Sequence, residues 1–369
     1  MRVLITADTV GGIWTYAREL VTGLVRRGLE VTLVSFGHVP EPRQLAWTES
    51  LRNLDFRPTA FRLEWMQDSA DDIAASSEYL LSVIRETRPD VLHLNQFCYG
   101  TLDVDIPKIV AAHSDVVSWW IAVHGEEPPK SGWTDWYREM MQQGLDGATT
   151  VIAPSRWMLS QIESCYGQRR QSRVIYNGRS PQSFNPHGDK EDMVLTVGRL
   201  WDAGKQVSLL TRYDCGWPVV IAGETQHPDE AYCGDGARIV CEGTLELKGK
   251  QNPEQLRALF SRAPVYAATS RYEPFGLALV EAALSRCAIV ANDIPSFREL
   301  WGETACYFQT NDAAGLRDAI AELRGNKVLR RQYAELAYQR ARRRYTADRM
   351  VDEYLEAYAS ITAPRTVAA

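Results

Sequence analysis

The sequence predicts an α/β fold of two domains, each built on a parallel sheet covered by helices on both faces. Three observations carry that expectation. Strand-type and helix-type segments alternate along the whole chain, as they do where parallel strands are joined by helical crossovers. The alternation breaks once, at Asn177-Gly178-Arg179-Ser180-Pro181 and Asn185-Pro186-His187-Gly188-Asp189, two clusters of turn formers. The length, 369 residues, exceeds what one typical core organises. The expected division is a first domain over 1–178, a linker over 179–190, a second domain over 191–345, and a helix and tail over 346–369 that pack back on the first domain.

The elements follow in order. In the first half, short apolar runs predict strands at 3–6, 30–36, 89–94, 107–113, 149–153 and 173–176. Gly11-Gly12 makes the first turn, and apolar residues at helical spacing predict a helix over 13–27 that Gly28 stops. Further helices are expected at 68–87, with Asp68 or Ser69 as N-cap, at 133–145, and at 155–166, capped by Ser155. In the second half, strands are expected at 193–197, 218–222, 238–241, 264–268 and 288–291. Helices are expected at 205–212, 253–261, from 277 onward, at 312–324 and at 327–361.

Composition narrows the function classes. The chain is 45% hydrophobic and 24% charged, an ordinary globular balance, and its formal net charge of −6 disfavours a nucleic-acid partner. Seven scattered cysteines, with no Cys-x-x-Cys, suggest neither a disulfide framework nor a zinc site, and a cytoplasmic location fits them. No run approaches 18 apolar residues, so no transmembrane helix is expected, and the N-terminus lacks a signal-peptide pattern. The arginines at 330, 331, 340, 342, 343 and 344 read as a solvated helix face, with peripheral contact to an anionic membrane as the alternative. Oligomeric state is not legible.

The most informative stretch runs from Ala267 to Ala282. It reads as the end of a buried strand, a turn punctuated by Pro274 and Gly276, and a helix start. Free N–H groups at Gly276, Leu277 and Ala278 would face a phosphate at the positive end of that helix. Glu281 lies one turn further in and suits a pair of hydroxyls such as those of a ribose, while Glu273 on the turn suits a sugar beyond the phosphate. Arg199, leaving a strand, and Lys205 form a second pair aimed at phosphate. Together these residues describe a site for a sugar nucleotide; the alternative is a set of solvated surface charges.

The ordered set formed by Gly11-Gly12, VIAPS at 151–155, VIYNG at 174–178, Gly198-Arg199-Leu200 with Lys205, and EPFGLALVE at 273–281 resembles the retaining family 4 glycosyltransferases of GT-B fold. The set spans nearly the whole chain. The resemblance implies two Rossmann-like domains with parallel sheets facing a central cleft. It implies transfer of a sugar from a nucleotide-diphosphate sugar, with a UDP-sugar favoured and GDP-mannose next, to a hydroxyl acceptor in glycan or glycoconjugate biosynthesis. No cofactor and no metal are expected. Arg199 and Lys205 resemble the donor diphosphate clamp, Glu281 the ribose ligand and Glu273 the contact to the transferred sugar. Phe275, Gly276 and Leu277 match the turn that meets sugar and phosphate; Gly12 matches the glycine that approaches donor or acceptor; Gly243 and Leu245 resemble the loop beside the base. Gln206 stands where the family usually has Gly or Asn, a departure expected to affect local turn shape.

The family also carries a histidine at the end of a strand in the first domain, and two residues fit. His113 ends the run 107–113; His124 ends the run 119–123. His113 is preferred because Pro107 and the small residues Ala111-Ala112 resemble the family's strand, with 115–124 then a lid or short helix beside the acceptor. Trp119 and Glu126 are further candidates on the acceptor side. Catalytic roles are thus expected for His113, Arg199, Lys205 and Glu273. A sugar-nucleotide epimerase of the same fold and a non-catalytic binding member are the rival readings. A dehydrogenase is disfavoured, because Gly11-Gly12 is not a Gly-x-Gly-x-x-Gly fingerprint.

Overall fold

The computed structural model describes residues 1–224 and 243–363. The chain forms two units: Met1–Ile121 with Glu126–Gly178 and the segment from Ala347 onward, and Ala122–Gly125 with Arg179–Thr346. The first unit holds a sheet of seven strands, β1 (Arg2–Asp8), β2 (Glu30–Phe36), β3 (Leu54–Pro58), β4 (Val91–Leu94), β5 (Lys108–Ala111), β6 (Thr150–Ala153) and β7 (Ser172–Val174), ordered β3-β2-β1-β4-β5-β6-β7. Every pairing in it is parallel. The helices over this stretch are α1 (Gly12–Arg26), α2 (Pro42–Leu45), α3 (Ala70–Thr87), α4 (Val116–His124), α5 (Gly132–Asp146) and α6 (Arg156–Tyr166).

The second unit repeats the construction with six parallel strands, β8 (Val194–Val197), β9 (Val219–Ala222), β10 (Leu245–Gly249), β11 (Val265–Ala268), β12 (Ala288–Asn292) and β13 (Cys306–Phe308), ordered β10-β9-β8-β11-β12-β13. Its helices are α7 (Pro253–Arg262), α8 (Leu277–Leu284), α9 (Pro295–Trp301), α10 (Ala313–Gly325) and α11 (Lys327–Arg344). Strands buried on both faces must be apolar throughout, and β11 and β12 are buried at every position. One face of the sheet packs Val194, Ile221, Val265 and Val290 against Leu316, Ile320 and Leu323 of α10.

Residues 179–190, read as a linker, are tied into the second unit. Arg179 N–H donates to Tyr345 O at 2.9 Å, and Lys190 Nζ donates to Ser285 O at 2.7 Å. The long basic helix expected over 327–361 is two helices: α11 ends at Arg344, and α12 (Ala347–Thr362) belongs to the first unit. There Tyr358 and Tyr354 of α12 close over β4. Tyr358 Oη lies 2.7 Å from His93 Nδ1, and Tyr16 Oη lies 3.1 Å from His93 Nε2. Burial holds His93 neutral, with its pKa pushed down to about 3. A Cβ on Gly23 would lie 2.4 Å from Val351 Cγ2, so this glycine sets how closely α1 and α12 approach.

The segment 115–124, expected as a lid or short helix, holds α4, and the alternative that made 119–123 a strand ending at His124 falls. The segment 116–123 is apolar but for Ser118 and short, so periodicity does not separate strand from helix. The expected strand at 238–241 falls outside the described residues.

Where β8 and β9 leave the second sheet their backbones nearly touch. A Cβ on Gly223 would fall 1.8 Å from the carbonyl oxygen of Gly198. The backbone cannot yield as a flexible side chain does, so Gly223→Ala should cost about 1–3 kcal/mol, read as a lower urea midpoint at unchanged slope. An unchanged midpoint would mean that this edge relaxes freely.

Candidate functional site

The order of the second sheet reverses between β8 and β11, so the loops that follow these strands part in opposite directions and leave a crevice at the carboxyl edge. Two loops border it, 198–206 after β8 and 269–276 after β11. They are tied to each other by main chain: Arg271 N donates to Gly204 O at 2.9 Å, and Thr269 Oγ1 donates to Lys205 O at 2.8 Å. Asp202, buried, shapes the first loop. Its Oδ1 accepts from Gly204 N at 2.9 Å, and its Oδ2 accepts from Arg199 Nη2 at 2.7 Å. Arg199 also lies over the Trp201 ring, 4.7 Å from the centroid.

Lys205 and Glu273 meet across the crevice as an ion pair of 2.6 Å, and Ser270 Oγ donates to the same carboxylate oxygen at 3.3 Å. Gly276 follows as N-cap of α8 with φ 81° and ψ 73°. Its left-handed conformation strains any side chain, and a Cβ would stand 2.7 Å from Leu279 Cδ1 and 3.2 Å from Glu273 Cγ. Phe275 is buried edge-on against Tyr345, which anchors the turn and leaves the crevice only its main chain. Glu281, one turn into α8, pairs with Arg179 at 2.8 Å.

The segment expected as a helix over 205–212 is a loop followed by a 3-10 turn, Val207–Thr211. Gln206 supplies the reason: it adopts φ 48° and ψ 38°, a left-handed conformation that costs a non-glycine residue about 1–2 kcal/mol. The amide offsets this: assigned in the orientation that satisfies both its ends, its nitrogen donates to Thr269 O and Asn311 Oδ1 and its oxygen accepts from Arg271. Glycine or asparagine would take this backbone more easily, which is the physical sense of the departure noted in the sequence. Asn292, wholly buried, donates to Ser270 O at 3.1 Å and accepts from Asn311 N at 2.9 Å, holding the far side of the loop.

In the first unit the carboxyl edge holds a second group. Gly12 opens α1 behind Gly11, whose φ is 89°. His113 lies two residues beyond β5, its ring 4.4 Å from the Tyr16 ring. Asn95, after β4, gives its Nδ2 to Thr6 O at 2.5 Å, which turns its Oδ1 toward His113 Nε2 at 2.8 Å. That oxygen only accepts, so Nε2 carries the proton and Nδ1 the lone pair. Burial pushes the His113 pKa down to about 4. Nearby, Glu64 accepts from Cys98 N at 2.9 Å, and burial raises its pKa to about 7. Asp115 accepts from Ser118 N at 2.7 Å and from Tyr166 Oη at 2.6 Å, capping α4.

Arg199, Lys205, Glu273, Phe275, Gly276, Leu277 and Glu281 therefore share one edge of the second sheet. Gly243 and Leu245 do not. Leu245 opens β10 and Thr244 O accepts from Val219 N at the start of β9, so both residues stand at the amino-terminal edge. The carboxyl end of that strand is Gly249, whose carbonyl accepts from Gly223 N. His124 is corrected likewise: it closes helix α4, exposed, and does not end a strand. Trp119 is half-buried on α4 and edge-on to Trp120, and Glu126 is exposed beyond the helix. Sequence reasoning missed Arg179, Asp202, Asn292 and Asn95. Only Asp202 left a signal, the Asp-Ala-Gly of an Asx turn. Among the described residues no group of three His, Cys, Asp or Glu side chains is placed to hold a metal ion, and no helix is long and apolar enough to cross a membrane.

Residues 10–183 match Glycosyltransferase Family 4, and residues 182–340 match Glycosyl transferases group 1. The O-antigen chain mannosyltransferase C of Escherichia coli is 22% identical over 380 residues, covering 96% of this chain and 95% of that one. The GDP-mannose:cellobiosyl-diphosphopolyprenol alpha-mannosyltransferase of Xanthomonas oryzae pv. oryzae is 30% identical over 226 residues, 56% of this chain and 54% of that one. Among solved structures, Anabaena HepE in complex with UDP and glucose superposes with a TM-score of 0.74 at 14% identity, over 98% of this chain and 100% of that one.

The neutral His113 carries a pH signature. Its folded pKa of about 4 lies below the ordinary 6.5, so between those values the unfolded chain binds the extra proton. Its contribution to stability is complete above pH 6.5 and is lost as pH falls toward 4. His113→Gln keeps an N–H for Asn95 and cannot titrate. Urea unfolding should show the variant losing less stability than wild type between these pH values, by at most about 1.4 kcal/mol per pH unit. Equal losses would mean that His113 is charged in the folded state.

Proposed function

The chain belongs to the family 4 glycosyltransferases of GT-B fold, enzymes that move a sugar from a nucleotide sugar, and on that premise we propose that it acts with retention at the anomeric carbon, without a metal ion, on a hydroxyl acceptor. The observation that carries this reading is the Lys205–Glu273 pair set beside the left-handed Gly276 that opens α8. It supplies a cation, a carboxylate and a helix N-terminus within one crevice, the three features that a sugar diphosphate needs.

In the proposed step the anomeric C–O bond of the donor breaks, and its electron pair passes to the departing diphosphate. The acceptor oxygen bonds to the same face of the carbon, and its proton goes to a phosphate oxygen. Lys205, Arg199 and the main-chain N–H groups at Leu277 stabilise the charge that develops on the diphosphate. Glu273 orients the transferred sugar and forms no covalent bond to it. Glu281 receives the ribose hydroxyls. His113, neutral with its lone pair on Nδ1, accepts a hydrogen bond from a ligand hydroxyl. Cationic side chains take the neutralising role that a divalent ion has in other phosphate sites.

A UDP-sugar is the first donor proposed, supported by the nucleotide seen in HepE. GDP-mannose is the second, supported by the two mannosyltransferase relatives. A thermal-shift panel of UDP, GDP and ADP decides between them: a rise with one nucleotide alone names the base, and no rise with any would overturn the donor-site reading. Lys205→Ala should lower kcat/KM about 100- to 1,000-fold, the cost of losing one preorganised charge partner in the transition state; turnover like wild type would remove Lys205 from the mechanism. EDTA should leave activity unchanged, and a loss restored by magnesium would refute metal-independent transfer.

A further inference from the structure

We propose that Arg179 is a positioning residue for nucleotide recognition: it holds the Glu281 carboxylate in the orientation that receives the ribose and cancels its charge beside the donor phosphates. The proposal rests on the ribose reading of Glu281 and adds a residue to it.

The two side chains form a largely buried ion pair. Arg179 Nε lies 2.8 Å from Glu281 Oε1, with 4% of the Arg179 side chain and 12% of the Glu281 side chain exposed. Arg179 is itself fixed. Its N–H donates to Tyr345 O at 2.9 Å, its main chain bridges to Thr346, and its guanidinium lies 5.4 Å from the Phe184 ring centroid. A buried arginine whose main chain is bonded to Tyr345 and whose guanidinium packs near Phe184 lacks the freedom of a surface arginine, so less entropy is lost in holding its partner.

Glu281 has two reasons to need such a partner. A buried carboxylate without a cation takes up a proton or turns toward water, and either change spoils it as a hydroxyl acceptor. It also sits one turn inside α8, behind the N-terminus proposed to meet the diphosphate. An uncompensated negative charge there would oppose the phosphates that Lys205 and Arg199 attract. Arg179 answers both needs without touching the ligand. The pair joins residues 102 positions apart in the chain, and it brings the segment after Gly178 into the nucleotide site.

The test measures coupling between Arg179 and the ribose hydroxyls. Calorimetry with UDP and 2′,3′-dideoxy-UDP, and with GDP and 2′,3′-dideoxy-GDP, gives the affinity lost when the hydroxyls are removed. In wild type the favoured diphosphate should lose about tenfold or more. In Arg179→Met that ratio should fall to within about twofold, and in Arg179→Lys to an intermediate value. Neither change follows from a purely structural role, which would lower thermal stability and leave the ratio in the folded fraction intact. Should Arg179→Met fail to fold, Arg179→Lys decides alone. A wild-type ratio in Arg179→Lys or Arg179→Met would overturn the proposal while the ribose reading of Glu281 stands. A wild-type protein that binds diphosphate and dideoxy-diphosphate equally would overturn the ribose reading, and this proposal with it.

Discussion

Parallel strands deliver all their outgoing loops to one edge, and at a reversal of strand order two of those loops must diverge. Both units are built around that constraint. In the second it falls between β8 and β11, and the loops carrying Lys205 and Glu273 separate there. Neither loop is rigid by length or composition. They are stiff because Gly204 O and Lys205 O are spent as acceptors for Arg271 and Thr269, and because Asp202 closes the first loop on itself. In the first unit the reversal falls between β1 and β4, and the loops beyond them bring Gly12 and Asn95 to the same edge as His113.

Three cations at the second edge are each paired with a carboxylate. Lys205 faces Glu273, Arg199 faces Asp202, and Arg179 faces Glu281. Pairing settles the cost of taking each charge out of water before any ligand arrives. A diphosphate arriving at this edge would compete with Glu273 and Asp202 for Lys205 and Arg199, and would leave the Arg179–Glu281 pair in place.

The fold was legible because its cause is local. Alternating apolar runs and turn formers mark parallel sheets, and β11, its turn and α8 read almost residue by residue. The failures have physical reasons. The segment inside α4 left His124 open as a strand end, because a short helix and a buried strand leave the same trace there. Lys205 precedes residues of good helical character, yet the left-handed Gln206 ends any helix there, and its stabilising partners are Thr269, Asn311 and Arg271, far away in sequence. Gly243 and Leu245 looked like a loop after a strand, whereas Leu245 begins one at the opposite edge. Arg179 looked like part of a linker, because a partner 102 residues downstream leaves no pattern around it.

The return of α12 to the first unit has a consequence for biosynthesis. His93 stands in the centre of the first sheet, yet the rings that cover it include Tyr354 and Tyr358, near the end of the chain. A ribosome adding about 5–20 residues per second needs roughly 10–40 s to pass from Gly178 to Tyr358. For that interval the first sheet exists with one helical wall unbuilt and an apolar face open. The nascent chain acquires its finished first core only after the second unit has been made.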